Sequence, residues 1–246
     1  MTDIENHYES LLAARYTWMM GGLKRCGENA RALLDLALIS GCETKGVALD
    51  LGSGPGYHAK ALAQRGFRVI AVDISRSCLQ ELRADCAGLD VIPTLGELTD
   101  HRVYSSHAPF AAILCVGDTL THLRDADEVD HLLSRCFELL APNGVLLLEL
   151  REQPEQPDIE NSIFTTRAER DRIMQCVLHF EPEKVWVTDV VHEWAGDRWK
   201  TIQSSYPKLR LSGDELIAKA KAAGLSVRLD ETRTGRRIIA VERTYR

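Results

Sequence analysis

One stretch, residues 47–75, constrains the fold of this chain more than any other. Val47 to Leu51 is a short apolar run with one acidic residue, a pattern typical of a buried parallel strand. Glycines at every second position follow it, and they let the backbone turn sharply and approach a ligand closely. A helix-forming segment and a second apolar run, Arg68 to Val72, come next. This strand–turn–helix–strand unit predicts an α/β fold with a doubly wound parallel sheet.

Two acidic residues in this unit indicate which of two classes of ligand it binds. A dinucleotide fingerprint, G-x-G-x-x-G, needs a third glycine at position 57, where this chain has Tyr57. Asp50 comes just before the glycines. A carboxylate at this position would not attract the anionic pyrophosphate of a dinucleotide, but it would attract a ligand with a positive group. Asp73 ends the second strand, where an acid reaches the hydroxyl pair of a ribose. S-adenosylmethionine meets both conditions, because it carries a ribose, an ammonium and a sulfonium.

Five residues match an acid-glycine motif and the acid that follows it: Asp50, Gly52, Gly54, Gly56 and Asp73. In them the chain resembles the class I S-adenosylmethionine-dependent methyltransferases. The resemblance is strong over residues 41–150 and moderate over 208–246. It implies a Rossmann-like sheet of seven mostly parallel strands with strand seven antiparallel, formed by these two segments. The general plan is similar to that of the small-molecule branch, the glycine, sarcosine and amino-sugar N-methyltransferases.

The resemblance also implies which residues hold the cofactor. They lie in the glycine turn and after strands two, three and four: Asp50, Gly52, Ser53, Gly54, Gly56, Asp73, Ile74, Glu97, Leu98, Cys115, Val116 and Gly117. In this family an acid after strand three accepts a hydrogen bond from the adenine amino group. Glu97 matches that role best, and Asp100 is the alternative.

Segments outside this core are expected to cover the site. Residues 1–40 are predicted to be helical, over 3–19 and 28–39, and to act either as a lid or as packing. Residues 151–207 are predicted to form an inserted antiparallel cap. It would begin with a linker at 152–162 and contain strands at 173–180, 184–194 and 199–206. Its aromatic residues would face the methyl acceptor or form a dimer contact.

The candidate catalytic residues are not spaced in any pattern that identifies a reaction. Asp118, His122 and Tyr16 are possible bases, although Asp118 could instead cap a helix and His122 could be a hydrogen-bonded buried histidine. Four further side chains are candidates to contact the acceptor: Trp18, Arg151, Trp186 and His192. No H-x-x-H or H-E-x-x-H pattern is present, so no metal is expected.

Composition limits the class of partner. The chain has 246 residues and a formal net charge of −6, without basic runs, which disfavours nucleic acid and anionic membranes. Seven cysteines without a C-x-x-C pair, and no apolar leader, favour a cytoplasmic protein. We expect a monomer or a homodimer. The expected activity is methyl transfer from S-adenosylmethionine to a small molecule, with nitrogen slightly preferred over oxygen. The alternatives are a non-catalytic S-adenosylmethionine-binding regulator and a dinucleotide-dependent oxidoreductase.

Overall fold

The computed structural model describes residues 3–37, 39, 46–153 and 161–244. These residues form eleven β-strands: β1 (Val47–Leu51), β2 (Arg68–Asp73), β3 (Val91–Leu95), β4 (Phe110–Cys115), β5 (Leu140–Leu150), β6 (Asn161–Ala168), β7 (Arg172–Phe180), β8 (Lys184–Trp194), β9 (Trp199–Leu209), β10 (Ser226–Arg233) and β11 (Arg236–Glu242). The α-helices of this part of the chain are α1 (Asp3–His7), α2 (Tyr16–Met19), α3 (Leu23–Leu36), α4 (Tyr57–Ala63), α5 (Arg76–Asp85), α6 (Ala126–Leu139) and α7 (Gly213–Ala222).

Seven strands form one twisted sheet in the order β10-β11-β5-β4-β1-β2-β3. β11 runs antiparallel to both of its neighbours, and the other adjacent pairs are parallel. Helices α3, α4 and α5 cover one face, and α6 and α7 cover the other. Burial on both faces explains why the central strands are apolar at nearly every position. The predicted α/β class and the antiparallel seventh strand are confirmed.

The remaining strands form a smaller antiparallel sheet in the order β6-β7-β8-β9, which we call the cap. The inserted antiparallel sheet was predicted, but with three strands rather than four. The missing strand is β6, an edge strand with Ile163 69% and Phe164 43% exposed. Because neither of its faces is well buried, its sequence lacks the apolar alternation that identifies a strand. The predicted linker therefore ends before Asn161, and its residues 154–160 lie outside the described part of the chain.

Residues 3–20, called here the N-terminal segment, lie against the cap. The single helix predicted over 3–19 is wrong in detail, because α1 is followed by a π-helical turn at Tyr8–Leu12 and a 3₁₀ turn at Ala13–Arg15. The changes of helical pitch direct Leu11 and Leu12 against Met174 and Val191 of the cap. Helix α3 starts five residues before the predicted Glu28 and ends at Leu36. Among the described residues, no helix has the length and apolar character needed to span a membrane.

Candidate active site

A cavity of about 1150 Å³ opens at the carboxyl edge of the seven-stranded sheet. The glycine turn after β1, the loops after β2, β3 and β4, and the N-terminal segment all contribute to its walls. Ligands of open α/β sheets bind beyond the carboxyl ends of the strands, so this is the expected location. Nine of the twelve predicted cofactor residues line it: Gly52, Ser53, Gly54, Asp73, Ile74, Glu97, Leu98, Val116 and Gly117.

The three glycines of the turn have different roles, although all have positive φ. A Cβ on Gly52 would lie 2.3 Å from Thr119 Cγ2, and one on Gly56 would lie 2.5 Å from Leu82 Cγ. These two positions therefore need glycine for packing within the protein. A Cβ on Gly54 would meet no described atom within 4 Å, and it would project into the cavity. Gly54 is the position where a side chain would take space from a ligand.

Asp50 lies behind the turn, is 1% exposed and does not itself line the cavity. No described group lies at hydrogen-bonding distance from either carboxylate oxygen, although the Ala59 amide is close enough to favour the charged form slightly. Burial, with a smaller contribution from Asp73, raises the pKa of Asp50 to about 7. A buried carboxylate without a partner is costly, so this geometry fits a ligand that brings a positive group to the turn.

Asp73 is also buried, but its carboxylate is well supported. It accepts hydrogen bonds from the backbone amides of Gly54 at 2.7 Å and Ser75 at 2.8 Å. Burial raises its pKa, and these two amides partly offset the increase. Each oxygen keeps a further lone pair, so the carboxylate can hold the glycine turn and still accept hydroxyl groups.

The other three predicted cofactor residues, Asp50, Gly56 and Cys115, lie behind the cavity wall. Cys115 points to the α6–α7 face of the sheet, because alternate residues of a strand face opposite sides. The alternative adenine acid, Asp100, is paired with Arg102 and does not line the cavity.

The three predicted bases have different environments. Asp118 does not line the cavity, and its carboxylate accepts from Arg151 N at 2.9 Å and Lys208 Nζ at 2.6 Å. Burial opposes its charge, but Lys208 and the Arg151 amide outweigh burial and lower the pKa of Asp118. Asp118 occupies the N-cap position of the 3₁₀ turn at Thr119–His122, as the alternative expected, but its side chain makes no capping hydrogen bond. Asp118 instead connects the end of β4 to β9 of the cap.

His122 and Tyr16 do line the cavity. Burial lowers the pKa of His122 to about 3, so the ring is neutral near pH 7. Its Nδ1 is buried without a hydrogen-bond partner among the described residues, and the ring stacks on Tyr206 at 5.4 Å. Burial raises the pKa of Tyr16 to about 12, so its phenol keeps its proton. The hydroxyl oxygen lies 3.8 Å from the Cβ position of Gly117.

None of the four predicted acceptor residues, Trp18, Arg151, Trp186 and His192, lines the cavity. The Trp18 ring lies beneath the Arg172 guanidinium at 5.0 Å, and Arg151 extends an exposed side chain. Trp186 and His192 lie on the outer face of β8, where Trp186 bonds Glu181 and His192 bonds Thr201. The prediction that the aromatic face of the cap covers the site is therefore corrected.

The inner face of the cap carries smaller residues. Along β8 the buried positions are Val185, Val187, Asp189 and Val191, which alternate with the predicted aromatic positions. Asp189 accepts from His7 Nε2 of the N-terminal segment at 3.1 Å, and His7 packs on Tyr206 at 4.2 Å. His7 therefore gives this buried acid of the inner face a partner.

A second polar group at the cavity is formed by His58, Glu149 and Arg236, and the sequence did not predict that these three residues come together. Glu149 Oε2 accepts the Gly117 amide at 2.8 Å and lies 3.4 Å from Arg236 Nη1. Burial lowers the pKa of His58. Glu149 lies on the same side of β5 as Val145 and Leu147, and this alternation is visible in the sequence. The proximity of Arg236 is not, because it depends on the antiparallel pairing of β11 with β5.

Comparisons with known proteins agree with this geometry. Residues 48–144 match the methyltransferase domain family. A glycine/sarcosine N-methyltransferase of Parasynechococcus marenigrum is 29% identical over 105 residues, which are 42% of this chain and 37% of that protein. The matches with curated relatives span about half of their length or less.

Solved structures resemble the chain over most of its length. The CcbJ methyltransferase of Streptomyces caelestis has a TM-score of 0.74 at 20% identity, covering 89% of this chain and 90% of that one. CalS10, an amino pentose methyltransferase of Micromonospora echinaspora solved with S-adenosylmethionine, has a TM-score of 0.71 at 21% identity and covers 94% and 95%. These likenesses show a shared fold.

Proposed function

We propose that this chain, whose residues 48–144 form a methyltransferase domain of class I fold, transfers a methyl group from S-adenosylmethionine to a small-molecule acceptor, with nitrogen preferred over oxygen. The resemblance noted in the sequence is confirmed by the domain match and by the solved structures. The observation that carries the proposal is the unpartnered, buried carboxylate of Asp50 behind the glycine turn.

The residues present fit this cofactor group by group. Asp50 would lie behind the turn, on the side that the ammonium approaches. The open side of Gly54 would accept the methionine part, and Asp73 would accept the ribose hydroxyls. Glu97 and Leu98 line the cavity where its adenine would lie. A dinucleotide would instead bring a pyrophosphate towards Asp50, which would leave that carboxylate without a cation.

Bound S-adenosylmethionine supplies an electrophilic methyl group on a sulfonium. An acceptor nitrogen would attack that carbon with its lone pair, the carbon–sulfur bond would break onto sulfur, and the new ammonium would later lose a proton. The protein's part is alignment and exclusion of water. Tyr8 and Tyr16 of the N-terminal segment and Lys208 of the cap line the cavity, so both segments are placed to shield it.

Nitrogen is preferred because an amine needs only to be neutral, whereas a hydroxyl usually needs a base. Of the three predicted bases, Asp118 is engaged by Lys208, and the environment of Tyr16 raises its pKa to about 12. His122 is neutral but has a pKa of about 3, which makes it a weak base.

Thermal unfolding with added ligands tests the cofactor. S-adenosylmethionine and S-adenosylhomocysteine should each raise the melting temperature, since ligand at a hundred times its Kd adds about 2.7 kcal/mol. A shift with NAD and none with these two would contradict the proposal.

A substitution at Asp73 and a labelled-methyl assay extend this test. Asp73→Asn should weaken cofactor binding roughly tenfold to a hundredfold, because it removes charge-assisted bonds of about 1.5–3 kcal/mol. Transfer of labelled methyl to a small-metabolite extract tests the activity, and binding without any transfer would indicate a regulatory protein instead.

A further inference from the structure

The chain turns through two consecutive left-handed residues just after β4. Gly117 and Asp118 both have a φ of 73°. Glycine adopts this conformation at no steric cost, but a residue with a side chain is strained there, and such strain is typical of functional sites. Of the three described non-glycine residues with positive φ, Asn143 and Thr234 are exposed, whereas Asp118 is only 4% exposed. The surroundings of Asp118 therefore have to hold its backbone in place.

The side chain of Asp118 is held by donors from two parts of the molecule. Its Oδ1 accepts the backbone amide of Arg151, just after β5 of the main sheet, at 2.9 Å. Its Oδ2 accepts from Nζ of Lys208, on β9 of the cap, at 2.6 Å. The side chains of Asp118 and Lys208 are 6% and 18% exposed, so solvent ions screen this pair little. The orientation of Asp118 therefore depends on where the cap lies.

The residues on either side of Asp118 belong to the wall of the cavity. Gly117 and Thr119 both line it. Thr119 packs against the glycine turn, since a Cβ on Gly52 would lie 2.3 Å from Thr119 Cγ2. Its hydroxyl donates to Val116 O at 2.7 Å, which ties Thr119 to the start of the same loop. A change of backbone conformation at Asp118 would therefore move two residues of the cavity wall.

Resting on the proposed cofactor, we infer that Asp118 is a positioning residue and that Lys208 makes the cofactor site depend on the cap. With Lys208 bound to Asp118, the left-handed turn persists and holds Thr119 against Gly52. Without this bond the backbone relaxes towards commoner conformations, and the wall that meets the cofactor is displaced. Coupling between two sites is reciprocal, so a cofactor that stabilises the turn also stabilises the position of the cap.

The first experiment separates the carboxylate of Asp118 from its backbone conformation. Asp118→Ala and Asp118→Gly remove the same carboxylate, but only glycine accepts the positive φ without strain. Calorimetry with S-adenosylhomocysteine should give a Kd about tenfold weaker for Asp118→Ala, and a Kd within about threefold of the wild type for Asp118→Gly. Denaturant unfolding checks that both variants are folded. Equal losses in the two variants, or no loss in Asp118→Ala, would overturn the inference.

The second experiment asks whether Lys208 acts through Asp118, because Lys208 also lines the cavity itself. Lys208→Met should weaken S-adenosylhomocysteine binding several-fold in the wild type but cause no further loss in Asp118→Gly, whose turn no longer needs the ion pair. Lys219→Met is the control, because it removes an ion pair with Asp130 that joins α7 to α6 outside the cavity. An equal loss in both backgrounds would show direct contact between Lys208 and the cofactor and would overturn the inference.

The third experiment measures the reciprocal effect on the cap. S-adenosylhomocysteine should slow hydrogen exchange of the β9 amides around Lys208 at least several-fold in the wild type, and should not do so in Asp118→Gly. A purely structural role of Asp118 would change the free energy of unfolding without linking β9 to the cofactor. No slowing in the wild type, or slowing that persists in Asp118→Gly, would contradict the coupling.

The same measurements distinguish this inference from the proposed function. Wild-type protein that fails to bind S-adenosylhomocysteine would overturn the proposed function and this inference together. Wild-type binding with any of the contrary variant results would overturn the role of Asp118 and Lys208 alone.

Discussion

The cofactor side of the cavity and the cap are held by contacts of different range. On the cofactor side, Asp73 bonds Gly54, 19 residues away, and Ser75, two residues away. The cap and the N-terminal segment are joined by His7 and Asp189, 182 residues apart, and by Arg15 and Glu193, 178 residues apart. The first kind of contact follows from a short motif, whereas the second requires the whole chain to be folded.

The strongest test of the cofactor side compares two glycines of one turn. Gly52→Ala should lower the free energy of unfolding by about 2–5 kcal/mol, because overpacking costs about 1–3 kcal/mol and a left-handed backbone about 1–2 kcal/mol. Thr119 cannot easily move away from the new methyl, since its hydroxyl bonds Val116 O at 2.7 Å. Denaturant unfolding measures this change.

Gly54→Ala is the matched variant. It should lose only the backbone contribution, about 1–2 kcal/mol, but its methyl would enter the cavity and reduce cofactor affinity by more than tenfold. Wild-type affinity in Gly54→Ala, measured by calorimetry, would show that the cofactor does not approach this turn.

A pH dependence of intermediate size should come from Asp50. Its pKa in the unliganded protein, about 7, exceeds the unfolded value, so its contribution to stability is greatest at low pH and falls as pH rises from about 4 to 7. A cationic ligand needs the ionised form, so cofactor affinity should fall roughly tenfold from pH 7.5 to pH 6.

Calorimetry in buffers of different ionisation enthalpy should detect proton release on cofactor binding near pH 6.5. Asp50→Asn should remove both the proton release and the pH dependence of the affinity. Proton release that persists in this variant would assign the titration to another group.

The smallest effect concerns the contact between the N-terminal segment and the cofactor side. Glu9 accepts hydrogen bonds from Ser75 Oγ at 2.6 Å and Ser77 Oγ at 2.7 Å, just after the Asp73 loop. Glu9→Gln should speed cofactor release only two- to threefold, because Glu9 itself lies on the exposed surface, where solvent weakens its interactions. Stopped-flow displacement measures the rate of release. Glu28→Gln is the control, because it removes an exposed glutamate of α3 that pairs with Lys24. An unchanged rate would show that the Glu9 contact of the N-terminal segment does not help to retain the cofactor.

The Glu9 contact also predicts its own pH dependence. Burial opposes the charge of Glu9, but hydrogen bonds from Ser75 and Ser77 outweigh it and lower its pKa. The contribution is therefore present above the ordinary pKa of a glutamate and is lost as pH falls through the lowered value.

The sequence by itself determined the apolar strands of the main sheet, the glycine turn and the two acids beside it. Each depends on a buried apolar run or on residues close together in the chain, which leave a periodic pattern. The two acids nevertheless have different environments, because hydrogen-bond donors reach Asp73 but not Asp50.

Only the tertiary structure decided which cap face turns inward, that Asp118 is held by Lys208, and that Glu149 meets Arg236. An alternating strand has two faces that the sequence cannot rank when both carry apolar residues, as Val187 and Trp186 do on β8. Contacts between residues 87 to 182 positions apart leave no local pattern, because they arise from how sheets and helices pack.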